Sequence, residues 1–307
     1  MDVVCIGQAV VDCIVRGKEE KEHRKNVYRA ESIHLSVGGD AVNESSVLAE
    51  LGHDVSIVCG LGKDYAGKMI LQALEGHGVS TNLIQTYDSL VTPIANLIVN
   101  GDGSRSSINS KAVMLDGFVP DFNVVKDAKI VSLCSLFRAP FDQKEIVIDL
   151  VRKAKAEGCL ICADTKLPAY RNIHMNDIKE ILPMIDYIFP NENEAGYYTG
   201  QESFEGMAAS IQEMGVKNVI IKTGASGCTV YGEKEHFQVA ARKVRAIDST
   251  GAGDNFVAGF LSGLLKGYSL RECTEFGTDC AAMSVQYSGA TAGIMEWKKK
   301  NFSRSLS

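Results

Sequence analysis

Short apolar runs alternate along this chain with longer segments of helical period. The runs at 3–7, 55–60, 130–134, 159–164, 187–190, 219–223 and 228–231 are nearly continuous in apolar residues and rich in Val and Ile. Between them, 41–51, 66–77, 143–157, 204–214, 253–265 and 271–286 carry apolar residues at helical spacing. Buried strands separated by helices predict an α/β fold with a doubly wound, mainly parallel sheet covered by helices on both faces. In such sheets a ligand binds at the carboxyl ends of the strands, against helix N-termini.

Two segments break this rhythm. Residues 10–36 hold a charged run, GKEEKEHRKN, followed by the alternating stretch YRAESIHLS. Residues 92–109 read as a strand pair about a turn at Asn100-Gly101-Asp102-Gly103. Both are polar on one side and lack covering helices. Together, over about 10–36 and 90–112, they predict a small β-sheet projecting from the α/β body. A lid over the ligand cleft is one use of it, and a homodimer contact through an uncovered sheet is another. The charged run at 18–25 reads as a solvated loop. No internal repeat or low-complexity tract is visible, so 1–307 reads as one domain.

Composition narrows the function. The chain has 307 residues, 45% hydrophobic and 23% charged, enough for a large core. Its net charge of −6 provides no basic field for a phosphodiester backbone, so nucleic acid is not an expected partner. No apolar run approaches the ~18 residues of a membrane span. Residues 1–16 lack a positive n-region, carry Asp2 and Asp12 about the apolar stretch, and show no small-residue cleavage site. They read as an N-terminal strand. Nine cysteines, an odd number scattered through apolar segments, suit free buried thiols and a cytoplasmic location. Cys159 and Cys162 form a lone CxxC. Residues three apart face opposite sides of a strand, so this pair reads as packing.

Three glycine-rich stretches compete for chemistry. Gly62-Lys-Asp-Tyr-Ala-Gly67-Lys68-Met69 nearly matches a P-loop, but Met69 offers no hydroxyl for Mg²⁺. It reads as a tight turn capped by Asp64. Asp248-Ser-Thr250-Gly251-Ala252-Gly253-Asp254 precedes an apolar helix with Ala258, Gly259 and Gly263 on one side. Backbone N–H groups at Gly251–Gly253, with the positive end of the helix dipole, predict an anion hole beside the Asp254 carboxylate. A structural reading makes Asp254 a helix cap. The third stretch, Gly38-Gly39-Asp40-Ala-Val-Asn43-Glu44, runs into a helix ending at Gly52. Asp40 is a candidate N-cap there, and the Gly38-Gly39 backbone beside Asp40 and Asn43 suits a polyol.

These motifs together resemble the ribokinase-like (PfkB) carbohydrate kinase family. D-S-T-G-A-G-D-N-F-V-A-G-F (248–260) is similar to its C-terminal signature and G-G-D-A-V-N-E-S-S-V-L-A-E-L-G (38–52) to its N-terminal one. Asn191-Glu-Asn-Glu194 is similar to the family's NxxE element. Lys222-Thr223-Gly224-Ala-Ser-Gly227 is similar to its nucleotide-side glycine turn. Gly7 through Asp12 is similar to the first strand with its sugar-contacting Asp, and 62–67 to a G-x-D-x-x-G turn. The matches run in family order from Gly7 to about Gly293. The resemblance implies a ribokinase-like fold with a β-sheet lid, and ATP-dependent phosphorylation of a hydroxyl, usually the primary alcohol of a sugar. It implies Asp254 as catalytic base, with Gly251, Ala252 and Gly253 as the anion hole. Asp12, Gly39 and Asn43 would contact the acceptor. Asn191 and Glu194 would organise Mg²⁺ and the triphosphate, with Glu194 acting on the metal through water. Thr223, Gly224 and Gly227 would line the nucleotide site. Some members bind K⁺ near the anion-hole loop through carbonyls, which here would be those around Asp248 and Thr250.

The chain departs from the pattern at two positions. Position 40 is Asp where many sugar kinases carry Asn or Lys, and position 249 is Ser rather than Thr. The acceptor stays open among a ketohexose, a pentose and a sugar acid. Arg105, Asn109 and Arg138 suit an acidic acceptor, since arginine forks onto carboxylate; a solvated turn residue is the plainer reading of Arg105. A nucleoside kinase is the alternative, disfavoured by the few aromatics in the lid segments. A non-catalytic sugar or nucleotide sensor is another. The helix dipole predicts Asp254 ionised at neutral pH.

Overall fold

The computed structural model describes residues 1–17, 19–20, 28–100, 105–111 and 115–304. Of the charged run at 18–25 and the turn at 100–103, all but Glu19, Glu20 and Asn100 lies outside them. In chain order the first strands are β1 (Val3–Ile6), β2 (Val10–Arg16), β3 (Glu19–Glu20), β4 (Tyr28–Arg29) and β5 (Ser32–Gly38). Then come β6 (Val55–Val58), β7 (Gly60–Gly62), β8 (Gln85–Tyr87), β9 (Ile94–Val99), β10 (Arg105–Asn109) and β11 (Ile130–Leu136). The last are β12 (Leu160–Thr165), β13 (Tyr187–Phe189), β14 (Asn218–Lys222), β15 (Cys228–Tyr231) and β16 (His236–Val239). The helices are α1 (Asp40–Glu50), α2 (Tyr65–Gly76), α3 (Lys144–Ala156), α4 (Glu192–Thr199), α5 (Phe204–Glu213), α6 (Ala252–Leu265), α7 (Leu270–Ser284) and α8 (Ala292–Arg304).

Eight strands form the main sheet in the order β16-β15-β14-β13-β12-β11-β1-β6. The pairs from β6 through β14 are parallel, and β14-β15-β16 are antiparallel. Strand alternation divides the core in two. Val4, Ile6, Val131 and Leu133 face a cluster with α3, α4 and α5. Val3, Cys5, Ile130 and Cys134 face another with α1, α2, α6, α7 and α8. Cys159 and Cys162 fall in different clusters, on opposite sides of the sheet, and all nine cysteines are free. The doubly wound, mainly parallel sheet expected from the apolar runs is the observed one. No helix among the described residues is long and apolar enough to cross a membrane.

The two segments that break the alternation meet in one four-stranded sheet, β10-β9-β2-β5. Strand β2 is antiparallel to β5 and parallel to β9, so residues remote in sequence share its surface. Two helices escaped the sequence reading. Helix α4 has only eight residues, below the length at which periodicity registers, and α8 was not assigned.

Local signals set the helix ends around the cleft. Asp64 caps α2 as expected, its Oδ1 accepting from Gly67 N–H at 2.8 Å, while Oδ2 takes Thr92 N–H at 2.9 Å. This carboxylate fills the turn that the P-loop reading would give to a phosphate. Asp40 does not cap α1. Gly39 holds that position at φ +96, where an added Cβ would meet Gln8 O at 2.5 Å, and Asp40 is the first helical residue. Gly52 follows the end of α1 at φ +93, as a C′ glycine should.

Candidate active site

The N-terminus of α6 lies open toward the cleft. Its N-cap is Gly251 in the left-handed conformation, φ +72, with no side-chain cap. A side chain at 251 would strike Ala290, so backbone and packing both require glycine. Ala252 N–H reaches Ser249 O at 3.3 Å, and Gly253 and Asp254 present N–H groups with no intrahelical acceptor. The capping role that a structural reading gives Asp254 therefore belongs to Gly251. A buried Asp in the first turn, freed from capping, is available for other work.

Asp254 is 4% exposed and is held from two sides. Asn43 Nδ2 donates to its Oδ2 at 2.6 Å, and Lys166 Nζ stands 3.9 Å from its Oδ1. Lys166 also lies 3.4 Å from Asp40 and 3.7 Å from Asp164. Lys222 bonds the other oxygen of Asp164. Asp40 Oδ2 accepts in addition from Ser135 Oγ at 2.6 Å. Beneath them Glu44 is fully buried with Ser132 Oγ on its Oε2 at 2.6 Å, and burial holds its carboxyl well above the usual range.

This crowding opposes the expected ionisation. The dipole of α6 was expected to keep Asp254 ionised with ease. Burial, and then the neighbouring Asp40, push its pKa up to about 7, against the opposing pull of Lys166 and the Asn43 hydrogen bond. The helix end contributes tenths to about 2 kcal/mol, less than removing a carboxylate from water. Asp12 is likewise pushed up to about 6, by burial first and Asp40 second.

Three cavities run in series past these groups. A polar one of about 300 Å³ is lined by Gln8, Asp12, Asp40, Asn109, Arg138 and Tyr170, among others. The next, about 420 Å³, is lined by Asn43, Asn191, Lys222 and the 249–254 loop. Asp12, Gly39, Asp40 and Lys166 line both. A third, also about 420 Å³, is mostly apolar, with Gly224, Gly227, Val244, Phe256 and Val285 in its wall. It shares Gly224, Ser249 and Ala252 with the second. The loops after β1, β11, β12, β13 and β14 thus converge at the carboxyl ends of the strands, as the sheet class demands.

Most of the sequence-derived residues meet here, with adjustments. Asn43 reaches Asp254 itself as well as the cavity. Gly38 packs against Asp12, whose Oδ2 occupies the space of a Cβ. Asn109 comes from β10 and Arg138 from the loop after β11, where its Nε donates to Leu167 O. Glu194 does not line the described cavities. Its Oε2 accepts from Asn191 N–H at 2.9 Å and Thr165 Oγ1 at 2.8 Å in the capping box of α4, which leaves Asn191 at the cavity wall. Thr223 stands behind Gly224, its N–H on Gly227 O at 2.8 Å. Asp248 turns both oxygens to protein groups: Oδ1 to Thr250 N–H at 3.0 Å and Thr250 Oγ1 at 2.7 Å, Oδ2 to Gly289 N–H at 3.3 Å and Arg16 at 3.5 Å. The side chain of Arg105 lies outside the described ones.

Sequence reasoning missed Lys166, Asp164 and the side chain of Lys222. All three lie at or just after the carboxyl ends of β12 and β14. The strand-end rule could have flagged Asp164-Thr165-Lys166, but no motif marks it.

The family described as pfkB family carbohydrate kinase matches residues 1–298. The chain is 29% identical to a ribokinase of Arabidopsis thaliana, across 96% of this chain and 79% of that protein. It is 25% identical to an ATP-dependent 6-phosphofructokinase of Thermoanaerobacterium thermosaccharolyticum, across 95% and 90%. Among solved structures, Arabidopsis thaliana ribokinase complexed with ribose and ATP superposes with a TM-score of 0.81 at 26% identity, covering 97% of this chain and 98% of that one.

Proposed function

Because this chain belongs to the pfkB family of carbohydrate kinases, we propose that it moves the γ-phosphoryl group of ATP to a hydroxyl of a small carbohydrate. The acceptor group is a primary alcohol, and the acceptor is a ketohexose, a pentose or a sugar acid. The observation that carries this reading is the position of Asp254. It stands beside the open α6 N-terminus, in the cavity that joins the polar one to the apolar one. The polar cavity suits the sugar and the apolar one the adenosine. The free N–H groups of Gly253 and Asp254 face the γ-phosphoryl group, whereas Ala252 N–H is engaged by Ser249 O; fixed donors of this kind stabilise charge that develops in the transfer.

In the step itself, the acceptor oxygen bonds the γ-phosphorus as the bond from that phosphorus to the β,γ-bridging oxygen breaks. ADP leaves, and the hydroxyl proton passes to the Asp254 carboxylate. Asp12, Gly39 and Asn109 hold the acceptor, with Arg138 at the edge of its cavity. Mg²⁺, when bound with the triphosphate, neutralises phosphate charge. Asn191 reaches the cavity wall for it, and Glu194 supports Asn191 from behind, which fits an action through water. K⁺ would be held by carbonyls around Asp248 and Thr250; Arg16 already brings a positive charge to the Asp248 carboxylate, and no step here uses K⁺.

The four-stranded sheet serves as the lid. Asp12, Ala95 and Asn109 are register neighbours on the face toward the cleft. The opposite face carries Cys13, Leu35, Asn96 and Ile108, with Ile33 and Ile98 further along. Ile33, Leu35 and Ile108 are 65%, 58% and 65% exposed, an apolar surface that a second copy of the chain would cover in a homodimer. A coupled assay of ATP-to-ADP turnover across pentoses, ketohexoses, sugar acids and nucleosides tests the reading. One carbohydrate should raise ADP formation at least a hundredfold over ATP alone, since lid closure excludes water. Equal rates with and without every sugar, or preference for a nucleoside, would overturn it.

A further inference from the structure

Lys166 is the strongest feature of the cleft that no motif accounts for. It leaves the end of β12 and reaches the place where the acceptor and phosphate cavities meet, one of four residues that line both. Its ammonium lies 3.4 Å from Asp40, 3.7 Å from Asp164 and 3.9 Å from Asp254. We propose that Lys166 is the positioning residue of the transfer, its ammonium keeping the Asp254 carboxylate ionised and oriented for the acceptor proton. This rests on the reading of Asp254 as the base.

The charges around Asp254 come from every element packed about it. Helix α1 contributes Asp40 and Glu44, with Asn43 as a neutral donor. Strand β12 and its end contribute Asp164 and Lys166, β14 contributes Lys222, and Asp12 of β2 lines the same cavity. Lys222 bonds Asp164. That leaves Lys166, among the described residues, as the cation paired with Asp254. Asp40 and Asp164 work against an ionised Asp254, and Lys166 and the Asn43 hydrogen bond oppose them. Asp40 puts a second carboxylate in the cleft, and Lys166 from another strand stands beside both it and Asp254. Lys166 is itself held protonated: burial pulls its pKa down, and Asp40, Asp164, Asp254 and, from α4, Glu194 raise it well above the ordinary lysine value.

The test is a ¹³C NMR titration of the full chain labelled at aspartate carboxyl carbons, with the Asp254 signal identified by its loss in Asp254→Asn. Its midpoint should rise by at least one pH unit in Lys166→Met and by less than half a unit in Lys166→Arg. Lys166→Gln, which keeps a polar side chain, replaces the Met variant should that one not fold. An unchanged midpoint in the neutral variant overturns the proposal. The acid limb of ADP formation with the fastest sugar of the panel should move by the same amount. Full transfer activity in Asp254→Asn would instead refute Asp254 as the base, while leaving the Lys166-dependent midpoint in place.

Discussion

Replacing Asp254 by Asn should stabilise the fold while stopping the chemistry. The native state holds the Asp254 proton up to about pH 7, whereas the unfolded chain releases it near 3.8. The raised value means that native protein binds more protons between those limits. Stability from this group is therefore lost as pH rises from about 4, and the full cost is present above about 7. Three pH units correspond to about 4 kcal/mol at 1.36 kcal/mol each. Asn forgoes the attraction of Lys166, so a gain of about 1–4 kcal/mol at pH 8 is expected, shrinking to less than half at pH 5. For a chain of 307 residues, an unfolding entropy of about 2.1 cal/mol/K per residue converts each kcal/mol into about 1.5 °C of Tm. Asn can still accept from Asn43, so the local geometry should survive. Thermal unfolding of both proteins at pH 5 and pH 8 measures the difference. A coupled kinase assay should show kcat lower by roughly 10²–10⁴, the usual contribution of a general base, with ATP binding retained. An Asn variant that is less stable than the parent at pH 8, or equally stable at both pH values, would refute the charge argument. Near-wild-type transfer in a single turnover would refute the base.

Gly253→Ala offers a cleaner probe of the anion hole than Gly251→Ala, because a Cβ at 253 meets only the end of the Lys222 side chain, Nζ at 3.4 Å and Cε at 4.0 Å. It should fold normally yet raise the KM for ATP about tenfold or more by filling the phosphate's approach; unchanged ATP kinetics would place the triphosphate elsewhere. Adding 100 mM KCl in place of a tetraalkylammonium salt should change kcat less than about twofold, since Arg16 brings the positive charge to Asp248; a strong dependence on K⁺ would contradict this. Leu35→Asp, on the outer face of the four-stranded sheet, should convert a homodimer into a monomer in light scattering after gel filtration, because a charge cannot be buried there unpaired. A parent chain that is monomeric at micromolar concentration would remove the dimer.

The chain's own pattern was enough for the architecture of the body. Runs such as Val3-Val4-Cys5-Ile6 can only be buried on both faces, and that requires helices above and below. The Gly-Ala-Gly-Asp stretch announced an open helix end because glycines remove the side chains that would otherwise close it. The family resemblance then ordered the remaining motifs. The sheet over the cleft was legible as two polar-sided segments, but their joining through β2 and β9, parallel at a separation of 83 residues, is not a local property.

The electrostatics of the cleft were beyond any reading of the sequence. Helix-end position argued for an easily ionised Asp254, and within the helix alone that argument is sound. Folding then brings Asp40 from α1, Asp164 and Lys166 from β12 and its end, and Lys222 from β14 around it, from positions 32 to 214 residues earlier in the chain. Sequence fixes which charges exist and which helix end is open. Only tertiary contact sets their separations and strips away water, and the protonation of a buried carboxylate depends on both.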